Sequence, residues 1–199
     1  MRKSVLILAL LLGGVIVFSG LSWTAQKEAK EDTVKVKAAS KPMFGYTGAT
    51  VCKPCHNLPK TGKQYDLWAA SKHGQAYMTL ANEQSQKIAK GMKIENAQKS
   101  DKCLKCHITG FGVPDTLLGS KYSKEEGVTC EACHGPGDKY KPMNIMKDKE
   151  LALKNGLIEP TEKVCLTCHN EESPTYKPFK YAEAVKAIDH SYPKIEEKK

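Results

Sequence analysis

Thr129-Cys130-Glu131-Ala132-Cys133-His134-Gly135-Pro136-Gly137 places two thiols three positions apart, with an imidazole directly after the second. The same C-x-x-C-H frame recurs as Cys52/Cys55/His56, Cys103/Cys106/His107 and Cys165/Cys168/His169, and together the four frames use all eight cysteines. The frame has a specific chemistry. Its two thiols add across the vinyl groups of one haem as thioethers, and the adjacent histidine reaches the iron from the proximal side. A zinc site pooling the thiols of two frames would leave the constant histidine without a role. A disulfide between cysteines three apart closes so small a loop that it removes little entropy. Four haem c groups (iron), ligated proximally by His56, His107, His134 and His169, use every residue of every frame. The frames are numbered motifs 1 to 4 in chain order.

Working outward, Arg2 and Lys3 precede an apolar run from Val5 to Phe18, which is followed by Ser19, Gly20 and a lysine-rich segment. That order is a secretory signal, and it places the chain in the periplasm or another extracytoplasmic space, where haem is attached. Residues 1–25 are expected to be a signal peptide, with an uncleaved anchor to the inner membrane as the alternative. Residues 26–42, polar and alternating in charge, are expected to be a flexible linker. Residues 43–192 would form the tetrahaem domain, and 193–199 a solvated tail.

The formal charge of +9 could suggest an anionic polymer as partner. Each haem brings two propionates, so most of the lysine excess is expected to be offset in the holoprotein, and no nucleic-acid-binding motif accompanies it. Aromatic residues make up only 7% of the chain, too few for an ordinary core. The expected fold class is mainly α, a small multihaem cytochrome c wrapped around stacked haems with little or no β-sheet.

The strongest helical period runs from Tyr65 to Lys90, with His73 on its apolar side. Further helices are expected over Lys147 to Asn155, with Gly156 as the stop, and from about Lys180 to Asp189, ending at His190. Motifs 2 and 3 are closest in sequence, which suggests that their haems form the tightly packed pair.

Four irons have two axial positions each, whereas the chain has six histidines. Four are proximal ligands, so only His73 and His190 remain for the distal positions, and at least two irons must lack a second histidine from this chain. Met143 and Met146, just beyond motif 3, are the best-placed thioethers for such an iron. Tyr140 is a weaker oxygen donor in the same stretch.

Several stretches together resemble the cytochrome c-554 family of tetrahaem c-type cytochromes. These are Tyr46-Thr47-Gly48-Ala49, Trp68-x-x-Ser71-x-His73, Cys103-Leu104-Lys105-Cys106-His107-x-Thr109-Gly110-Phe111, Gly127 to Gly137, and Cys165-Leu166-x-Cys168-His169 with a closing helix that ends at His190. The resemblance implies a helical fold with stacked haem pairs, and His73 and His190 as distal ligands. It also implies multi-electron transfer between redox proteins, including a membrane quinol-linked or a hydroxylamine-oxidising complex. Where members often carry another histidine after G-P-G, this chain has Asp138-Lys139-Tyr140-Lys141.

Electron transfer is the expected function, and no catalytic residue is assigned. The alternative is reduction of nitric oxide or a similar small nitrogen oxide at an iron with an open distal side, with Asp138, Lys139 and Tyr140 as nearby polar groups. A haem-based sensor or a haem-linked filament subunit is a third class.

Overall fold

The computed structural model describes residues 43–193. The expected leader and linker lie outside these residues, as does the tail beyond Pro193. Among the described residues there is no strand, only an isolated parallel bridge between Tyr46 and Leu118. The fold is mainly α, as expected.

Ten short helices follow one another: α1 (Lys53–His56), α2 (Gln64–Ala69), α3 (Ala76–Thr79), α4 (Glu83–Gly91), α5 (Asp101–His107), α6 (Cys130–His134), α7 (Met143–Met146), α8 (Lys149–Lys154), α9 (Glu162–Leu166) and α10 (Tyr181–Ala187). Most are one or two turns long, which matches a chain whose helices serve to present a motif rather than to pack lengthwise. The conventional core is correspondingly small. Leu80, Ala89, Ala97 and Leu104 cluster with Tyr77, Ile94, Cys103 and Ile108 around α4 and α5. Elsewhere Leu58, Ile158, Leu166, Val185 and Ile188 stay exposed.

The helical period from Tyr65 to Lys90 is not one helix. It breaks into α2, α3 and α4, with His73 in the turn between the first two. The break is local chemistry. The Ser71 hydroxyl accepts the Gly74 amide at 3.2 Å, and a Cβ at Gly74 would lie 2.6 Å from the Trp68 carbonyl oxygen. A hydroxyl competing for the backbone and a glycine where no side chain fits end α2 early. A second stop is Asn82, whose side chain accepts the Ser85 amide at 2.8 Å and opens α4. The two later helices fall where expected, as α8 and α10, and Gly156 follows α8 with φ of 105°.

Candidate haem-binding site

Each C-x-x-C-H frame sits on about one helical turn, which puts the two cysteines on one face with the histidine beside them. Motifs 1, 2 and 3 end α1, α5 and α6 at their histidines, whereas motif 4 runs from α9 into a turn that carries Cys168 and His169. All eight cysteines are free thiols, so the disulfide alternative is not realised. Among the described residues no group of three or more His, Cys, Asp or Glu side chains is arranged around a metal-sized point, so pooled-thiol zinc has no ready-made cluster there.

Cys55 is the most open of the eight thiols. The frame makes Cys52 and Cys55 equivalent attachment points for one haem, yet Cys55 is exposed, whereas the other seven cysteines are half-buried. The cause is the single turn of α1. Cys52 begins that turn facing Cys130 of motif 3, while Lys53, Pro54 and Cys55 make up an outer side that stays open to solvent. The polypeptide encloses Cys52 but not Cys55, and the assignment of Cys55 as a haem-binding residue rests on the frame alone.

The motifs meet in an order different from their sequence order. Cys52 of motif 1 and Cys130 of motif 3 lie side by side, an arrangement that raises the Cys52 thiol pKa and lowers that of Cys130. Cys106 of motif 2 neighbours Cys168 of motif 4, and burial together with that thiol pushes Cys106 up to about 11. Cys133 lies within electrostatic range of Cys165 and Cys168, and burial chiefly pushes it up to about 11. The thiols of motif 1 therefore neighbour those of motif 3, and the thiols of motif 2 those of motif 4, with Cys133 of motif 3 near motif 4. Motifs 2 and 3, nearest in sequence, meet through the Thr109–Thr129 hydrogen bonds rather than through their thiols.

Long-range hydrogen bonds made by the residues around motif 3 account for this arrangement. The Glu131 side chain, inside the motif, is 2% exposed. Its carboxylate accepts the amides of Thr47 at 2.8 and 3.0 Å, Gly48 at 2.8 Å and Gly137 at 2.7 Å, plus the Thr47 hydroxyl at 3.2 Å. Glu126 takes the next two amides, Ala49 at 2.8 Å and Thr50 at 3.1 Å. Four consecutive amides leading into motif 1 are thus held by two carboxylates flanking the start of motif 3, through charge-assisted bonds that are stronger than neutral ones. The sequence reasoning passed over both acids. The available signal was an acidic residue in the variable dipeptide of a motif whose neighbours are small or apolar. On the other side, an exposed ion pair between Lys105 of motif 2 and Glu172, just after motif 4, spans the second pair.

The segments Trp68-x-x-Ser71-x-His73 and Gly127-Val128-Thr129 are bonded to each other. The Trp68 indole donates to the Val128 carbonyl at 2.8 Å, and the Val128 amide donates to the His73 carbonyl at 3.0 Å. Thr129 donates its amide to the Thr109 hydroxyl at 2.7 Å, which ties in the exit of motif 2. His73 is therefore fixed by its backbone beside motif 3 while its ring points to motif 4.

The His73 and His169 rings have centroids 6.0 Å apart and planes at 86°, and the His134 and His190 rings repeat this at 6.0 Å and 87°. An iron bound to two imidazoles at about 2 Å from each nitrogen puts the ring centroids roughly 6 Å apart, because each centroid lies just behind its nitrogen. Both pairs fit a metal between them. Burial and then the charge of His169 lower the His73 pKa, and burial followed by His190 and His56 lowers that of His134. Both shifts favour the neutral imidazole that ligates metal. His107 has no facing imidazole among the described residues. Its Nδ1 sits 2.7 Å from the Ala76 carbonyl oxygen, which leaves Nε2 as the outward donor. His190 is oriented alike, with Nδ1 2.8 Å from the Ile188 carbonyl oxygen.

A family model described as "Cytochrome c554 and c-prime" matches residues 51–135, which span motifs 1 to 3. Over those residues the chain is similar to the cytochrome c-554 family. Cytochrome c-554 of Nitrosomonas europaea is 26% identical over 166 residues, 74% of this chain and 68% of that protein. The solved reduced state of cytochrome c554 from the same organism has 25% identity and a TM-score of 0.47, over 73% of this chain and 79% of that one. That similarity supports covalently bound c-type haem and a role in haem electron transfer. Motif 4 and His190 lie beyond the matched residues, so their places here rest on the frame and on the ring geometry.

Tyr140 is not disposed as an iron ligand, since its buried hydroxyl donates to the Gly135 carbonyl at 2.9 Å. Its neighbours are also engaged in structure: the Asp138 amide donates to the Gly45 carbonyl at 3.1 Å, and Lys139 pairs with Asp138 at 3.2 Å. Met143 and Met146 both lie on α7, with Met143 exposed.

Proposed function

We propose that the chain binds four c-type haems, one at each motif, and relays electrons along the order 1, 3, 4, 2 between redox partners outside the cytoplasm. The observation that carries this reading is the pair of perpendicular histidine couples at one common spacing, each joining a motif histidine to one of the two histidines that the motifs leave over. Bound haem supplies a one-electron iron couple. His169 and His73 would hold the motif 4 iron from opposite sides, and His134 and His190 the motif 3 iron. Two neutral imidazoles stabilise the ferric state, so these two sites are set for low potential. His56 and His107 would each be the sole histidine on its iron, with Met143 and Met146 of α7 as the thioether candidates for one of those two open positions.

The polypeptide's part is to hold the motifs rigidly side by side, so that little reorganisation accompanies each transfer. Glu131 and Glu126 do this for motifs 1 and 3, and Lys105 with Glu172 for motifs 2 and 4. Motifs 1 and 2 stand at the two ends of the order, where a donor and an acceptor can dock without competing. The exposure of Cys55 suits this, because a thioether formed there would lie at the surface on motif 1. Partners consistent with this are redox proteins, including a membrane quinol-linked or hydroxylamine-oxidising complex.

Intact mass of the denatured protein tests the haem count, with an expected gain of four haems over the processed polypeptide. A gain of two or three would refute occupancy of every motif. Reductive titration should show four electrons taken up, and rapid mixing with a chemical reductant should show redistribution among haems faster than reduction by the mediator.

A further inference from the structure

We infer that Phe179 is a positioning residue, whose ring sets the rotation of the His169 imidazole and so keeps it perpendicular to His73. This rests on the proposal that His169 and His73 are the axial pair of the motif 4 iron. The Phe179 and His169 rings are stacked, with centroids 4.8 Å apart and planes at 26°, within the offset geometry that aromatic pairs prefer.

The ring of His169 lacks the device that orients two of the other histidines. His107 and His190 each have Nδ1 against a backbone carbonyl, but among the described residues no hydrogen bond reaches the His169 ring. A metal bond fixes one nitrogen of an imidazole but does not by itself set the rotation of the ring plane about that bond. A flat face laid against the ring removes this freedom. The chain that delivers Phe179 is suited to the task. Pro174 and Pro178 restrict φ at two positions of the connection between motif 4 and α10, and both residues next to Phe179 are exposed while Phe179 itself is half-buried. A stiff connection with one inward aromatic presents that ring at a set place. An aliphatic residue could cover the same apolar area, but it has no plane to impose.

Imidazole rotation has an electronic consequence. When the two axial rings are perpendicular, their π interactions act on different iron d orbitals and leave those orbitals nearly equal in energy. When the rings turn parallel, the orbitals split. Near-degeneracy moves the largest g value of the low-spin ferric signal upward, and relaxation towards parallel brings it down and shifts the midpoint potential.

The test is electron paramagnetic resonance and redox titration of the oxidised, fully haem-loaded protein carrying Phe179→Leu, Phe179→Met or Phe179→Tyr. In the parent protein, His73→Ala should remove one large-g signal, which identifies the motif 4 iron. Phe179→Leu and Phe179→Met should move that same signal to lower g and shift its potential, with haem mass and the number of low-spin irons unchanged. Phe179→Tyr, which keeps the flat ring, should retain both properties. Unchanged g and potential in the leucine and methionine proteins would overturn the inference. So would loss of haem in both aliphatic variants with full loading in the tyrosine variant, because Phe179 would then be needed for folding or maturation. A His73→Ala protein with the parent's full set of signals would instead refute the axial pairing, and the inference with it.

Discussion

The Glu131 carboxylate reaches across 84 positions of sequence to accept the Thr47 amide at 2.8 Å. It is a buried charge whose cost of leaving water is offset by three amides and a hydroxyl. Removing its charge should therefore be expensive. In Glu131→Gln one carboxylate oxygen becomes an amide NH2 that faces backbone donors, so at least one buried N–H loses its acceptor. The expected loss is about 2–4 kcal/mol of folding stability, read as a lowered denaturant midpoint in protein that retains its haems. Glu126→Gln, at the more exposed end of the same run of amides, should cost about 1 kcal/mol. Equal, near-zero effects for both would mean that motif 1 is not held by these acids.

His73→Ala and His190→Ala should separate the two histidine couples. Each substitution removes one ring of a perpendicular pair, so each should convert one low-spin iron, and a different one, to high spin or to an exogenous ligand. All four haems should remain attached, since neither residue belongs to a C-x-x-C-H frame. Magnetic resonance of the two single variants and the double variant checks this. Loss of the same signal in both single variants would contradict the pairing of His73 with His169 and of His190 with His134.

Gly127 connects the entry of motif 3 to His73. It adopts φ of 72°, and a Cβ there would lie 2.8 Å from the His73 carbonyl oxygen. Gly127→Ala should destabilise the fold by about 1–3 kcal/mol and broaden the low-spin signal that His73→Ala removes, because the shifted carbonyl carries the ring with it. Gly91→Ala is the matched control. A Cβ at Gly91, at the end of α4, meets nothing within 4 Å, so stability there should stay level or rise by roughly 0.5–1 kcal/mol.

Carbon monoxide should bind the reduced protein at no more than two irons, those of motifs 1 and 2, because His134 and His169 each face a second imidazole. An iron capped by Met143 or Met146 would bind it slowly and show a thioether charge-transfer band when oxidised. Stoichiometric titration with carbon monoxide measures the number directly. Binding at the motif 3 or motif 4 iron in unmodified protein would refute the two histidine couples.

The four C-x-x-C-H frames, the number of histidines left over from them and the helical class were legible from residue order alone, for one physical reason. A C-x-x-C-H frame is complete within about one helical turn, and counting ligands needs no coordinates. The Tyr65 to Lys90 stretch shows where local reading fails even at short range: its apolar period persists, yet Ser71 and Gly74 turn the chain and take His73 out of any helix. The frame likewise treats Cys52 and Cys55 alike, and only the packing of α1 against motif 3 makes one half-buried and leaves the other exposed. Which motifs become neighbours was decided only by tertiary structure. Motifs 2 and 3 are nearest in sequence, but the long-range bonds of Glu131 and Glu126 draw motif 1 onto motif 3, and the Lys105–Glu172 pair spans motifs 2 and 4. Residue order also marks His73 and His190 as the spare imidazoles but cannot assign them. The Val128 amide fixes the His73 backbone beside one motif while its ring faces the histidine of another, a choice made by hydrogen bonds between segments far apart in the chain.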